Sequence, residues 1–238
     1  MIDVGLLASM FIVIGVPSLL TLWWPLENAP GRGAFLDAVF APLGAGIVVG
    51  RVAALALDDP GALGRLSDLL IIRGGVEFWP GLGAAFIAVA VGARRAGQSP
   101  LDRVATLAPL SLVGYGLFEA TCFLRGGCYG PASRFGLRPA GLGTTMLPVG
   151  ILMGVAMVIS SLTLGYVRRR GARPAVLTVS SLALLASVRS VASIWLPRVS
   201  PGLTRVHRTS LIVAAGAILA LGAVIVSQTR QHAAVDKP

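Results

Sequence analysis

The segment Thr209–Thr229, TSLIVAAGAILALGAVIVSQT, contains no charged residue over a length that spans a bilayer as a helix. Two further segments share this property, Val4–Leu26 and Pro139–Val167. Of the 238 residues, 55% are hydrophobic and only 13% are charged, about half the charged fraction of a typical soluble domain. The sequence therefore predicts an all-α, polytopic, multi-pass protein of the lipid bilayer.

The apolar runs predict seven transmembrane helices in one domain that covers residues 1–238. The first run lacks a basic N-terminal region and a cleavage-site pattern, so we expect a retained span rather than a signal peptide. The predicted helices cover residues 4–24, 34–57, 76–93, 102–123, 144–167, 174–196 and 209–228.

The basic residues predict the orientation of these helices. The net charge is +10, and Lys237 is the single lysine, so nearly all of the positive charge is arginine. Arginines that flank membrane spans contact lipid headgroups, and we therefore do not expect nucleic-acid binding. With the N-terminus outside and the C-terminus inside, the dense clusters GARRAG (92–97) and VRRRGARP (167–174) both lie inside, which favours this topology.

Four charged residues fall at predicted membrane depth, where a charge that faces lipid costs a few kcal/mol. They are Asp37, Arg51, Glu119 and Arg189. We expect these side chains to face the interior of the helix bundle. One alternative is that Glu119 pairs with Arg51 or Arg189 only to hold helices together; the other is that the group serves function.

The cysteines and histidines predict neither a disulfide framework nor a metal site. Cys122 and Cys128 are the only cysteines, and His207 and His232 lie far apart in sequence. We expect no cofactor. Cys128, flanked by arginines, has two interpretations: a nucleophile whose thiolate is favoured by the nearby charges, or a small packing residue.

Three segments carry the chemistry. In residues 72–82, IRGGVEFWPGL, paired glycines permit a tight turn before the third helix. Residues 117–143 keep apolar side chains such as Phe123 and Tyr129 beside arginines, which suits an amphiphile with an anionic head, although a re-entrant hairpin would give the same pattern. The sixth helix carries Arg189 and no acidic residue, so this arginine needs Glu119 or a ligand phosphate as its anion.

In this order on seven helices, the segments resemble the prolipoprotein diacylglyceryl transferase family. Gly74–Leu82, GGVEFWPGL, is similar to the family's Gly-Gly…Phe-His-Gly-Gly-Leu turn. Phe118–Gly130, FEATCFLRGGCYG, is similar to its signature Gly-Arg-x-Gly-Asn-Phe-x-Asn-Gly-Glu-x-Trp/Tyr-Gly. Arg189 corresponds to an arginine on the sixth helix of the family, and Val206–Ser210, VHRTS, loosely to its Gly-Gln-x-x-Ser. The similarity covers residues 70–215.

The resemblance implies an enzyme of the bacterial plasma (inner) membrane. It would move the diacylglyceryl group of phosphatidylglycerol to the thiol of a lipobox cysteine in the signal peptide of a preprolipoprotein, and it would be a monomer. For such an enzyme, we expect Glu119, Arg125 and Arg189 to be the catalytic residues. The expected substrate-binding residues are Arg73, Gly74, Gly75, Trp79, Gly126, Gly127, Cys128, Tyr129, Arg198 and His207.

The chain departs from the family at four positions. Trp79 stands at the histidine position, Glu119 at the signature arginine, Cys122 at an asparagine and Gly127 at the glutamate. Two alternatives to a transferase therefore stay open: a catalytically inactive homologue that binds lipid, and a small transporter that uses the interior charges. For the transferase itself, Glu119 is expected either to orient an arginine or to act as a base, and Glu77 is the other candidate base.

Overall fold

The computed structural model describes residues 4–23, 32–65, 67, 75–139, 143–196 and 204–235. Within these residues the chain is all-α, as predicted. Two short 3₁₀ turns, Pro60–Gly64 and Thr121–Arg125, and one strand, β1 (Ala132–Leu137), interrupt the helical pattern. The seven helices are α1 (Val4–Trp23), α2 (Arg32–Asp58), α3 (Phe78–Arg95), α4 (Pro100–Ala120), α5 (Val149–Arg169), α6 (Pro174–Trp195) and α7 (Arg205–Val235).

Each predicted helix coincides with an observed one, and the largest differences lie at the ends of α5 and α7. α5 begins at Val149 instead of residue 144, because residues 145–147 hydrogen-bond to the preceding loop and Pro148 occupies the N-cap. α7 extends from Arg205 to Val235, beyond the apolar run 209–228, because the flanking polar residues include no glycine or proline that would end a helix.

Five helical segments are long and apolar enough to cross a membrane. They are Val39–Asp58, Pro100–Arg125, Val149–Arg169, Pro174–Trp195 and Arg205–Arg230. The described chain is thus that of a multi-pass membrane protein. The crossing of all seven helices, and the outside position of the N-terminus, stay predictions.

Contacts divide the chain into two compact units, Leu26–Val104 and Met1–Pro25 together with Ala105–Pro238. In the first unit, α2 and α3 approach so closely that a Cβ added to Gly81 would lie 2.7 Å from the carbonyl oxygen of Gly46. Gly46 and Gly50 on α2 face Gly81 and Ala85 on α3, which is the small-xxx-small spacing that brings membrane helices together. Small residues therefore determine how closely α2 and α3 pack.

The second unit contains an antiparallel pair, α4 and α5, that positions the candidate site. At one end of the pair, Gly154 contacts Gly116 and Ala120. Near the middle, the Ser161 hydroxyl donates to the Pro109 carbonyl at 2.8 Å. At the other end, the Arg168 guanidinium donates to the Thr106 hydroxyl at 3.1 Å. The start of α5 therefore lies beside the end of α4.

α6 and α7 complete the second unit and pack along a seam of small buried side chains. The serine and alanine positions on α7 repeat at helical spacing of three and four residues, as required for one continuous contact face. The small buried residues are Ala186, Ser190 and Ser193 on α6 and Ser210, Ala214 and Ala217 on α7.

Candidate functional site

The end of α4 turns sharply into the loop that carries the sequence signature. Helix α4 tightens into the 3₁₀ turn Thr121–Arg125, where the Thr121 hydroxyl donates back to the Leu117 carbonyl at 2.8 Å. Gly126 follows in the left-handed conformation with φ 74°, which a residue with a Cβ adopts only at a cost. The chain turns back at this point, so the residues that follow Arg125 lie at the end of the α4–α5 pair.

A disulfide between Cys122 and Cys128 closes this turn, with the two Cα atoms 5.7 Å apart. The expectation that the two cysteines form no disulfide is therefore wrong. The alternative in which Cys128 acts as a free thiol nucleophile is also contradicted, because both sulfurs are in the bond. The physical reason is the backbone conformation. Gly126 is left-handed and Cys128 has a positive φ of 60°, and these two residues turn the chain so that cysteines six residues apart come together.

Glu119 lies at the centre of the site. Its carboxylate is 3.6 Å from the Arg189 guanidinium, and both side chains are only 17% exposed. The other carboxylate oxygen lies 3.8 Å from the sulfur of Cys128. Of the two pairings that the sequence offered for Glu119, the structure forms the one with Arg189.

Arg189 is fixed by α4 in a second way. Its guanidinium donates to the Tyr115 hydroxyl and lies 5.7 Å from the centre of that ring. Tyr115 and Glu119 are one helical turn apart, so they present their polar groups side by side. Sequence reasoning missed Tyr115, although its spacing of four residues from Glu119 on one helix was a signal that could have found it.

Arg125 reaches back to the same end of α4. Its guanidinium donates to the Phe118 carbonyl at 3.1 Å and lies 4.2 Å above the Phe118 ring, a cation–π contact. Its charge also acts on the Glu119 carboxylate. The Nε atom of Arg125 is buried and has no hydrogen-bond partner among the residues that the structure describes. Arg125 and Arg189 thus both converge on the last turns of α4.

Two glycines let the neighbouring elements approach this loop. A Cβ at Gly150, in the first turn of α5, would collide with the Glu119 carbonyl and lie 3.0 Å from the Cys128 Cβ. A Cβ at Gly130 would lie 2.7 Å from Val149 and 3.1 Å from the Trp195 carbonyl, at the end of α6. Sequence reasoning missed Gly150; its spacing of four residues from Gly154 was the available signal.

The loop beyond Gly130 folds onto the residues that precede α5. β1 (Ala132–Leu137) is largely exposed, and its Ser133 amide donates to the Thr145 carbonyl at 2.9 Å. Phe135 is 85% exposed, the largest exposed fraction of any large apolar side chain described here. Tyr129, one of the predicted substrate-binding residues, is half-buried between Cys128 and Gly130.

His207 lies in the seam between α6 and α7. Its Nδ1 atom is 2.6 Å from the Ser193 hydroxyl, and both residues are buried. Its amide donates to the Thr204 hydroxyl at 3.2 Å, a side-chain cap for the start of α7. Ser193 was not singled out from the sequence.

The remaining predicted site residues belong to the other unit or lie outside the described residues. Gly75 has φ 85°, and its carbonyl accepts a hydrogen bond at 3.1 Å from Arg51, which is buried on α2. The ring of Trp79 packs edge-on against that of Phe78 at 5.0 Å. Arg73, Gly74 and Arg198 lie outside the described residues, as does the side chain of Asp37.

The described residues bring together two arginines, a carboxylate and a disulfide at one end of α4. Within this part of the chain, no three His, Cys, Asp or Glu side chains are grouped as a metal site would require. No protein-family model matches the chain, and no curated protein is significantly similar to it. The chemistry of the site must therefore be inferred from its own geometry.

Proposed function

We propose that the protein binds the headgroup of phosphatidylglycerol at the end of α4 and transfers the diacylglyceryl group to the thiol of a lipobox cysteine. The observation that carries the proposal is the convergence of Arg125 and Arg189 on the last turns of α4, with the buried Nε of Arg125 left without a hydrogen-bond partner among the described residues. An anionic phosphate oxygen is the ligand that such a donor favours.

Apolar side chains beside the arginines suit the rest of the lipid. Phe118, Phe123 and Leu124 each leave about 40% of their surface exposed around the turn. Fixed guanidinium groups next to exposed apolar surface match the amphiphilic character of a phospholipid, whose phosphate and acyl chains lie close together. This arrangement supports a lipid over a soluble phosphate ester as the ligand.

The transfer needs a leaving group that carries charge. The acceptor sulfur bonds to the glyceryl carbon that bears the phosphate, the carbon–oxygen bond breaks, and glycerol phosphate leaves with the electron pair. Arginines at the phosphate stabilise that developing charge. The thiol proton goes to a base, and Glu119 is a carboxylate that lies 3.6 Å from Arg189.

The side of the membrane is also part of this proposal. A disulfide supports an extracytoplasmic position for the turn, since disulfides persist in oxidising compartments and not in the bacterial cytoplasm. The cluster Arg168–Arg170 lies at the opposite end of the α4–α5 pair, as the preference for arginine on the inner side would require.

The test is a reconstituted reaction. Purified protein is incubated with labelled phosphatidylglycerol and a lipobox peptide, and the thioether product and free glycerol phosphate are measured. We expect R189Q to abolish both products while the protein still inserts into membranes. R65Q is the matched control, because it removes an arginine from an exposed ion pair with Asp59. Unchanged product formation by R189Q would contradict the proposal.

A lipid-binding protein without transferase activity is the second candidate. The observation that favours it is the 3.6 Å contact of Glu119 with Arg189, because a carboxylate that holds an arginine in place for a phosphate need not take up a proton. In the same experiment, this candidate predicts retention of phosphatidylglycerol by the wild-type protein and loss of retention by R189Q, with no thioether formed by either protein.

A further inference from the structure

The disulfide and the carboxylate beside it form a second chemical group in the loop. The Cys122–Cys128 bond lies at the end of α4, and both cysteines are partly accessible. Glu119 Oε2 is 3.8 Å from the sulfur of Cys128, close enough to exchange a proton with that sulfur once it is a thiol. One carboxylate is therefore positioned both for the ion pair with Arg189 and for a proton transfer to the disulfide.

The carboxyl group beside the bond favours its opening toward one side. Arg189 is 3.6 Å from Glu119, and Arg125, within the loop that the disulfide closes, acts electrostatically on the same carboxylate. A protonated Glu119 is the acid beside Cys128, so it can donate its proton to this sulfur as the disulfide opens. Cys128 is therefore the leaving sulfur of the pair, because a proton donor lies 3.8 Å from it.

We propose that the Cys122–Cys128 disulfide is a thiol–disulfide exchange site that oxidises dithiols in extracytoplasmic peptides, with Glu119 as the proton carrier. This proposal does not depend on the lipid transfer proposed above.

The exchange balances in two steps. In the first, a substrate thiol gives its proton to Glu119, its sulfur bonds to Cys122, the disulfide breaks, and Cys128 leaves with the electron pair and takes the proton from Glu119. In the second, another thiol of the same peptide attacks the mixed disulfide, and Cys122 leaves and takes up that thiol's proton. The peptide dithiol is oxidised to a disulfide, and the cysteine pair is reduced to two thiols, so a single turnover needs no other oxidant.

The test uses the full-length protein in lipid nanodiscs without phosphatidylglycerol, so that the transfer reaction cannot contribute. The probe is a short synthetic peptide with two cysteine thiols. We expect one peptide disulfide per protein molecule, detected by mass, and two new protein thiols, detected by maleimide labelling. C128S should hold a pre-activated peptide as a stable mixed disulfide on Cys122.

The role of Glu119 is tested by rate. E119Q should slow the exchange by about 100-fold, the lower range for loss of a general acid or base, while leaving the disulfide formed in the resting protein. D102N is the matched control, since Asp102 is an exposed carboxylate in the first turn of the same helix, and it should exchange at the wild-type rate.

Two results would overturn the proposal. If the wild-type disulfide stays intact with the peptide thiol in large excess, the bond only fastens the loop, and this result stands even if a variant fails to fold. If E119Q exchanges as fast as D102N, Glu119 does not carry the proton. Thioether formation in the separate lipid assay is unaffected by either result, so failure of the exchange and failure of the transfer are distinguishable.

Discussion

At the scale of single residues, the Glu119–Arg189 ion pair links α4 to α6. Both side chains are mostly removed from solvent, and loss of one partner leaves the other charge without compensation. We expect E119Q and R189Q each to lower the free energy of unfolding by about 2–4 kcal/mol. The double variant should lose less than the sum, because it leaves neither charge behind.

Thermal unfolding measures the coupling between Glu119 and Arg189. The wild type, the two single variants and the double variant are compared in one detergent. Tyr115→Phe is a useful addition to the series, since it removes only the hydroxyl that accepts from Arg189. If the double variant loses as much stability as the two single variants together, the ion pair does not couple α4 to α6.

At the scale of helices, Gly150 sets how closely α5 approaches α4. Because a Cβ there would collide with the Glu119 carbonyl, G150A should force the two helices apart and lower the free energy of unfolding by about 1–3 kcal/mol. Gly216 on α7 is the control, since a Cβ at that position meets nothing within 4 Å. Thermal unfolding of G150A and G216A compares them, and equal stability of the two variants would contradict this account.

The disulfide acts on the turn that follows α4. Removing the cross-link restores conformational freedom to the unfolded loop, which by loop-closure entropy corresponds to about 2 kcal/mol for a loop this short. We therefore expect the double variant C122S/C128S to unfold at a lower temperature than the wild type. Wild-type protein treated with a reductant should show the same decrease, and a decrease in the variant alone would point to altered packing instead of the lost cross-link.

The helices of this chain could be predicted, and the site only in part. All seven helices follow from the apolar runs of the sequence, which can be located without knowledge of neighbouring helices. The pairing of Glu119 was narrowed to Arg51 or Arg189 but not decided, because periodicity within a helix does not fix which helix lies beside it. The disulfide was not predicted, because it depends on the left-handed backbone at Gly126.

At the scale of the whole molecule, the remaining question is which end of the helices faces out. The turn that carries the disulfide and the cluster Arg168–Arg170 occupy opposite ends of the α4–α5 pair, so one topology satisfies both the oxidising requirement of the disulfide and the inside preference of arginine. Alkaline phosphatase, which folds only outside the cytoplasm, should be active when fused after Phe135 and inactive when fused after Gly171. A fluorescent protein fused after Val235 should fold and fluoresce inside. Phosphatase activity at Gly171 together with none at Phe135 would show that the opposite topology is present. The disulfide would then lie in the reducing cytoplasm, and the loop could not reach extracytoplasmic lipid or thiol substrates.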